Sequence, residues 1–298
     1  MKSWQKHPQL KHLFISPLEE CNLKCEICYT KKSKKRLSKK KILDFIIKYI
    51  KEIPLESVTF CGGEVFLLEY FVDLVNELTK KGIIIQIITN GTINVLKKFK
   101  NPELINIIVS IDGPKDHHDL NRGIGNYEKS ISFLKKATLL GFHTHIFQVV
   151  TPQNYTNTLD FKKKIGGKVG NNIKITLHPR KPNCYLSKHP IDNCGKKCSN
   201  FSFLDSSQLI NLFSNSNTFP PNNLGCFQIS LKSNEKIYAC CEGINPIGEL
   251  TDDIENIINK LLKRLIYCTI CNNDACKGCV EPNFLCGFTQ LCQKQSNS

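Results

Sequence analysis

From Leu10 to Leu177 the chain alternates short runs of β-branched and aromatic residues with longer stretches whose apolar positions recur every three or four residues. The short runs, Leu13 to Ser16, Ser57 to Phe60, Ile83 to Thr89, Ile105 to Ile111, His143 to Val150 and Ile173 to Leu177, are predicted strands. Between them Lys39 to Lys51, Leu67 to Lys80, Ile93 to Phe99, Tyr127 to Leu140 and Thr156 to Ile165 are predicted amphipathic helices. Ser38 precedes the first as an N-cap, and Gly82 and Gly141 close the second and fourth. Repeated strand-then-helix units imply parallel strands joined by right-handed crossovers. The predicted class is α/β: a parallel sheet, open or curled into a partial (β/α)6 TIM-like barrel, over residues 1–200.

Beyond Leu177 the texture changes to a stretch rich in Pro, Asn and Cys, with the boundary placed between 178 and 200. A helix is predicted from Asp205 to Ser214, a hairpin from Phe227 to Leu231 and Lys236 to Ala239 about the turn Lys232 to Glu235, and a helix from Asp252 to Ile266. The last 31 residues hold six cysteines, so residues 201–298 read as a small Cys-rich, metal-stapled domain.

Composition sharpens this. A chain of 298 residues buries a sizeable core without staples, so its 16 cysteines exclude the disulfide-rich miniprotein class. The first 20 residues hold no signal-peptide core, and no stretch approaches a membrane span, which points to a soluble, cytoplasmic protein. In that reducing compartment dense cysteines serve as metal or cluster ligands. The 41 basic residues outweigh 26 acidic ones by +15, yet only four are arginines. Scattered lysines without interleaved aromatics disfavour nucleic acid, while a basic rim favours an acidic partner.

The candidate chemistry follows the strands. Cys21, Cys25 and Cys28, in ECNLKCEICYT, come directly after the first strand. Three thiolates leave one iron of a four-iron cluster open to a small molecule; a zinc site with an open position is the rival. CGGE (Cys61 to Glu64), TNG (Thr89 to Gly91) and SIDG (Ser110 to Gly113) each follow a later strand. Loops after parallel strands gather at the carboxyl-terminal face, where such folds bind ligands. Gly62 and Gly63 let a ligand approach the backbone, and Glu64 adds a carboxylate suited to an amino group. Arg122, in the loop HHDLNRG, offers a fork to a carboxylate. An open iron beside sites for ammonium and carboxylate describes an amino-acid-bearing ligand.

These motifs resemble those of the radical S-adenosylmethionine (radical SAM) superfamily. CNLKCEICY matches its C-x3-C-x2-C-aromatic signature, CGGEVFL resembles its GGEP motif with Val65 in place of Pro, and SIDGPKDHHDLNRG resembles the SIDG and HDxxRG segment of its peptide-modifying branch. The resemblance implies that Cys21, Cys25 and Cys28 hold a [4Fe-4S] cluster whose fourth iron chelates S-adenosylmethionine. It further implies that Gly62, Gly63 and Glu64 meet the amino group, and that Asn90, Ser110, Asp112 and Arg122 line the cofactor site. The implied reaction is reductive cleavage to a 5′-deoxyadenosyl radical that abstracts hydrogen from a substrate.

The later cysteines resemble the SPASM auxiliary-cluster domain or its shorter twitch form, with C-x2-C-x4-C-x2-C in place of the family spacing and Glu235 where the family has Gly. By that resemblance Cys268, Cys271, Cys276 and Cys292 hold one auxiliary cluster and Cys226, Cys240 and Cys279 part of another, giving one or two auxiliary [4Fe-4S] clusters. Structural zinc is the alternative. Cys184, Cys194, Cys198, Cys241 and Cys286 carry no assigned role, and Cys61 is expected to fill a small site.

The expected substrate is a peptide or protein side chain, with a small molecule (tetrapyrrole, sugar or nucleotide) as the first alternative and a non-enzymatic iron-sulfur or zinc protein as the second. The expected reductant is a flavodoxin or ferredoxin, since both are acidic. The lysine run Lys31 to Lys41 reads as a solvated loop and helix start, and His117 and His118 as exposed loop histidines.

Overall fold

The computed structural model describes residues 8–170, 173–181, 201–214 and 228–268. The strands are β1 (His12–Ser16), β2 (Ser57–Phe60), β3 (Ile84–Thr89), β4 (Ile105–Ser110), β5 (His143–Val150), β6 (Lys174–Pro179), β7 (Ile229–Lys232), β8 (Lys236–Tyr238) and β9 (Pro246–Glu249). They form one sheet in the order β6-β5-β4-β3-β2-β1-β7-β8-β9. Strands β6 through β7 are parallel, with Leu13 opposite Val58 on one side and Ile229 on the other. Strands β8 and β9 add antiparallel. The fold is thus α/β with a parallel sheet.

The helices are α1 (Lys39–Glu52), α2 (Phe71–Lys80), α3 (Lys115–Arg122), α4 (Asn126–Leu139), α5 (Pro152–Tyr155), α6 (Thr158–Val169), α7 (Ser206–Ser214) and α8 (Ile254–Cys268). Helix α1 forms because Ser38 accepts the Lys41 N–H and Ile42, Phe45, Ile46 and Tyr49 fall on one face. That face, with Phe71, Leu74, Val75 and Leu78 of α2, covers the outward side chains Leu13, Ile15, Val58, Phe60, Ile85 and Ile107 of the sheet. The opposite face mixes polar side chains with Phe14, Ile88, Ile108 and Phe147. His12 bonds Ser57 Oγ at 2.6 Å and Thr59 Oγ1 at 2.9 Å, and His145 bonds Thr176 Oγ1 at 2.6 Å. Burial pushes both imidazoles down to about 4, so they are neutral.

The structure departs from the sequence expectations in four places. Ile93 to Phe99 is not a helix; only the 3-10 turn Leu96–Lys98 forms, where the Asn94 side chain takes the Leu96 N–H and competes with helical bonding. Conversely, the segment holding HHDLNRG is helical as α3, ending at Gly123 with φ +96°. Strand β9 was not expected, because it starts at a proline and pairs only at the sheet edge. Finally, β7 pairs with β1, and Ile229, Leu231, Ile237, Ile247, Ile257 and Leu261 join the same hydrophobic core as the barrel strands. The described residues after 228 therefore continue the barrel sheet and its core. No helix among the described residues is long and apolar enough to cross a membrane.

Candidate active site

The cysteine loop leaves the carboxyl end of β1 and is closed at its base by a bridge between Leu18 and Arg36, with Leu37 N–H on Pro17 O at 2.9 Å. Cys21, Cys25 and Cys28 are all half-buried, and none forms a disulfide. A turn joins Cys28 N–H to Cys25 O at 3.2 Å, and Cys21 Sγ receives Leu23 N–H at 3.4 Å and Asn90 Nδ2 at 3.7 Å. The loop docks on α3, where Asn121 O accepts Glu26 N–H at 3.0 Å and Asn121 Oδ1 accepts Ile27 N–H at 3.2 Å. Sequence reasoning missed Asn121. Its signal was its place in DLNRG beside the arginine.

The CGGE loop prolongs the β1–β2 pairing beyond the strands. Cys61, Gly63 and Glu64 donate to Ile15 O, Leu18 O and Glu20 O at 3.0, 3.0 and 2.9 Å. This explains the two glycines. A Cβ on Gly62, at φ +124°, would lie 2.2 Å from Leu18 O, and one on Gly63 would lie 1.8 Å from Glu20 O. The space expected for a ligand is occupied by the backbone of the cysteine loop. Gly63→Ala must push that loop off β2. We expect it to lower the unfolding free energy measured in urea by about 1–3 kcal/mol and to reduce iron uptake on reconstitution, as iron analysis of the purified variant would show.

Glu64 also differs from expectation. It is fully buried, Thr89 Oγ1 lies 2.9 Å from each of its oxygens, and it accepts Asn90 N–H at 2.8 Å and Phe66 N–H at 3.3 Å. Both carboxylate oxygens already tie the β2 loop to the β3 loop. The reason is steric: Gly62 and Gly63 bring this turn against neighbouring backbone, so the side chain enters the protein. Burial, outweighing these hydrogen bonds, raises its carboxyl to about 7. Between the ordinary value of 4.5 and about 7 the native state holds a proton that the unfolded state releases, so Glu64 makes stability fall as pH rises through that window. Glu64→Gln should remove this slope, measured as the urea midpoint against pH from about 4.5 to 7.5.

Asn90, at the end of β3, donates to Asn22 Oδ1 at 2.9 Å and accepts Thr92 N–H at 2.9 Å, so it pins the cysteine loop from the side. Ser110 is half-buried at the end of β4, opposite Phe147 in the β4–β5 register. Asp112 is fully buried. Arg122 Nε and Nη2 fork onto its two oxygens at 2.6 and 3.1 Å, Asn121 Nδ2 donates at 2.6 Å and Val149 N–H at 3.3 Å. Burial acts to raise the Asp112 carboxyl, but the Arg122 charge and fork outweigh it and hold it down to about 2. The arginine expected to take a ligand carboxylate from a loop is instead the last residue of α3, with its fork on an internal carboxylate. Its charge still reaches Cys25 and Cys28. Burial raises the Cys25 thiol, and Arg122 pulls against that rise.

The two histidines differ from expectation as well. His118 is fully buried, its Nδ1 faces Asp112 N–H at 3.3 Å, and burial pushes it down to about 4. His117 is half-buried, edge-on to Phe201 at 5.1 Å. The cause in both is α3, which folds them back over the sheet.

Across the barrel mouth Tyr29, Lys181 and Glu242 meet. Lys181 pairs with Glu242 and lies 4.6 Å from the Tyr29 ring, and Tyr29 donates to Glu242 at 3.3 Å. Burial opposes the Lys181 charge, but Glu242 and Tyr29 together hold it protonated. Cys240 is half-buried beside them, with Glu242 N–H on its Sγ at 3.4 Å. Cys268 ends α8. Cys226, Cys271, Cys276, Cys279 and Cys292, like Cys184, Cys194, Cys198 and Cys286, lie outside the described residues.

Parallel strands with their chemistry-bearing loops at one end, and a three-thiol loop after the first strand, define an α/β barrel-type enzyme with its site at the carboxyl face. The chain belongs to the radical SAM superfamily, whose family model matches residues 15–165. It is 28% identical over 161 residues to an S-adenosylmethionine-dependent nucleotide dehydratase of Flammeovirga pacifica, covering 48% of this chain and 54% of that one. It is 29% identical over 154 residues to the GTP 3′,8-cyclase of Aquifex aeolicus, covering 47% and 48%. The chain thus spans about half the length of these curated relatives. In fold it is similar to anSMEcpe with bound AdoMet, at TM-score 0.66 and 20% identity over 96% of this chain and 94% of that one. It is also similar to Streptococcus suis SuiB bound to S-adenosylmethionine, at TM-score 0.65 and 15% identity over 83% and 65%.

A radical SAM enzyme works with S-adenosylmethionine and a [4Fe-4S] cluster. The residues present fit both. The cysteine loop carries three thiols outside any disulfide, two of them, Cys25 and Cys28, in reach of a fixed cation. Among the described residues no three His, Cys, Asp or Glu side chains close round a single ion; a four-iron cluster takes one thiolate per iron and needs spaced ligands, whereas zinc needs convergent ones. At the end of β6, His178 keeps a buried ring nitrogen without a hydrogen-bond partner among the described residues, which a polar ligand would satisfy.

Proposed function

We propose that the chain is a cytoplasmic radical SAM enzyme acting on a peptide or protein side chain, with Cys21, Cys25 and Cys28 as ligands of its [4Fe-4S] cluster. The observation that carries the site assignment is Arg122, fixed by Asp112, facing Cys25 and Cys28 on a loop locked to β2 by Gly62 and Gly63. When bound, the cluster and cofactor supply one-electron cleavage of the sulfonium and hydrogen abstraction from substrate. The chain's own residues bind and orient. Asn90 and Asn121 hold the cysteine loop, Glu64 holds the loops together, and Ser110 and Arg122 border the place for the amino-acid end of the cofactor. Phe147 and His178, edge to face with ring centroids 4.7 Å apart, would border its nucleoside. Residues 201–298 would carry one or two auxiliary [4Fe-4S] clusters through Cys226, Cys240, Cys268, Cys271, Cys276, Cys279 and Cys292. The part of that region that is described adds β7 to β9 to the barrel sheet.

The peptide reading draws support from the fold shared with SuiB, which has a structure bound to precursor peptide SuiA, at TM-score 0.62. A nucleotide substrate is the second reading, favoured by the names of the two curated relatives above. The experiment is deuterium transfer. Holoenzyme is incubated with S-adenosylmethionine, dithionite and either a perdeuterated peptide fraction or a perdeuterated nucleotide fraction, and 5′-deoxyadenosine is analysed by mass spectrometry. Label drawn from the peptide fraction supports the proposal. Label drawn only from nucleotides replaces it with the second reading, and no deoxyadenosine at all rejects both.

A further inference from the structure

The chain carries eight cations from Lys31 to Lys41 and no acid between Glu26 and Asp44. The tertiary structure divides that run in two. Arg36 pairs with Glu20, Lys39 with Glu77 at 3.2 Å, Lys40 with Asp44 at 2.7 Å and Lys41 with Glu235 at 2.5 Å. Lys31, Lys32, Lys34 and Lys35 are all exposed, and none makes an ion pair among the described residues. Lys32 is felt only as the weakest influence on Glu19. Half of the run is neutralised by the fold, and the other half is four uncompensated charges within five residues.

Those four charges sit on a tethered loop. At one end Cys28 Sγ contacts Thr30 O at 4.0 Å, and at the other the Leu18–Arg36 bridge returns the chain to the base of the cysteine loop. A turn with Lys35 N–H on Ser33 Oγ at 3.1 Å lies between. Lys31 is three residues from Cys28, so the chain can separate their Cα atoms by no more than about 11 Å. The free charge therefore borders the cysteine loop on its solvent side.

We propose that Lys31, Lys32, Lys34 and Lys35 form the docking surface for an acidic one-electron carrier protein that reduces this enzyme. The proposal rests on the reading that Cys21, Cys25 and Cys28 hold the cluster. One electron leaves the reduced centre of the carrier and enters the cluster; no atom is transferred, and the carrier departs oxidised by one step. Lysine suits the task, because a mobile, hydrated point charge steers an encounter without locking it. Electron-transfer encounters are small and transient, and four charges on one loop match that scale. Nucleic acid is the weaker fit: the four charges include no arginine fork, Leu37 is buried, and the half-buried Tyr29 ring is covered by Lys181 and tied to Glu242, which disfavours base stacking and leaves no apolar side chain for a membrane.

The experiment compares holoenzyme with a quadruple variant, Lys31→Glu, Lys32→Glu, Lys34→Glu and Lys35→Glu, and with the corresponding quadruple Gln variant. Two readouts are taken: the binding isotherm for oxidised flavodoxin at roughly 50 and 500 mM salt, and S-adenosylmethionine cleavage driven by reduced flavodoxin or by dithionite. Native enzyme should bind flavodoxin about tenfold more weakly at high salt, and the Glu variant should bind about tenfold more weakly at low salt, with flavodoxin-driven cleavage falling in parallel. The Gln variant should fall between, and dithionite-driven cleavage should be unchanged in both. Equal flavodoxin binding and reduction in native and Glu enzyme would overturn the proposal. So would loss of transfer-RNA binding with flavodoxin unaffected, or loss of dithionite-driven cleavage in both variants, since the lysines would then serve nucleic acid or the fold. Failure of native enzyme with dithionite would instead reject the cluster reading itself.

Discussion

Cys25→Ala is expected to abolish 5′-deoxyadenosine formation, to below about one thousandth of the native rate. Each thiolate of the motif holds a different iron, so two remaining ligands cannot retain a cluster that already keeps one iron open. Cys25 is the middle residue of the three. It sits within the field of Arg122, whose positive charge favours its thiolate against the burial that raises its thiol. The backbone around it is held independently, by Asn121 on Glu26 and Ile27 and by the Leu18–Arg36 bridge, so removal of one sulfur leaves the loop in place. Circular dichroism of the variant should therefore match native protein while the iron content falls. Cys61→Ala serves as the control. Its residue belongs to the CGGE loop, and its thiol, raised by burial, is no ligand in this reading, so that variant should keep both iron and deoxyadenosine formation. Turnover retained by Cys25→Ala would remove this loop from the mechanism.

The second large effect concerns Asp112. Asp112→Ala leaves the Arg122 guanidinium, only 13% exposed, without its carboxylate, and strips acceptors from Asn121 and the Val149 N–H. Orphaning one member of a buried pair costs about 3–5 kcal/mol, a large share of the stability of a domain. We expect a matching drop in the stability measured by urea unfolding. The double variant Asp112→Ala with Arg122→Met should recover a good part of it, because no charge is then left unpaired. The double variant should still fail to bind S-adenosylmethionine, which separates the structural part played by Asp112 from the part played by the cation. The pair also sets an acid limit. With its carboxyl held to about 2, Asp112 contributes stability above the ordinary value of 3.8 that is lost as pH falls through about 2. Native protein should lose stability over that range, and the double variant should not show this component.

The strands and the motif loops were legible because each is written in contiguous residues. An apolar run such as Ile83 to Thr89 fixes a strand by itself, and strand-then-helix alternation fixes parallel order. The cysteine spacing likewise needs no tertiary information. Helix α3 escaped notice because HHDLNR has no apolar stripe; it is helical because His118, Asp119 and Asn121 are buried by polar contacts with Asp112 and the start of α4. The pairing of β7 with β1 joins residues more than two hundred positions apart, which no local pattern encodes.

The sequence by itself determined the class of fold, the parallel direction of its strands and the four loops that gather at one end, together with the residue types that chemistry there requires. Only the tertiary structure decided what those residues are free to do. Glu64 is spent between two loops, the glycines admit a backbone where a ligand was expected, and Arg122 is committed to Asp112. The physical reason is that a carboxylate or guanidinium reads the same in a sequence whether it faces solvent or the interior. Once buried it must be paired, and the partner that satisfies it comes from a distant part of the chain. The same division holds for the lysine run: the fold splits a row of like charges into four paired with acids and four that make no ion pair among the described residues.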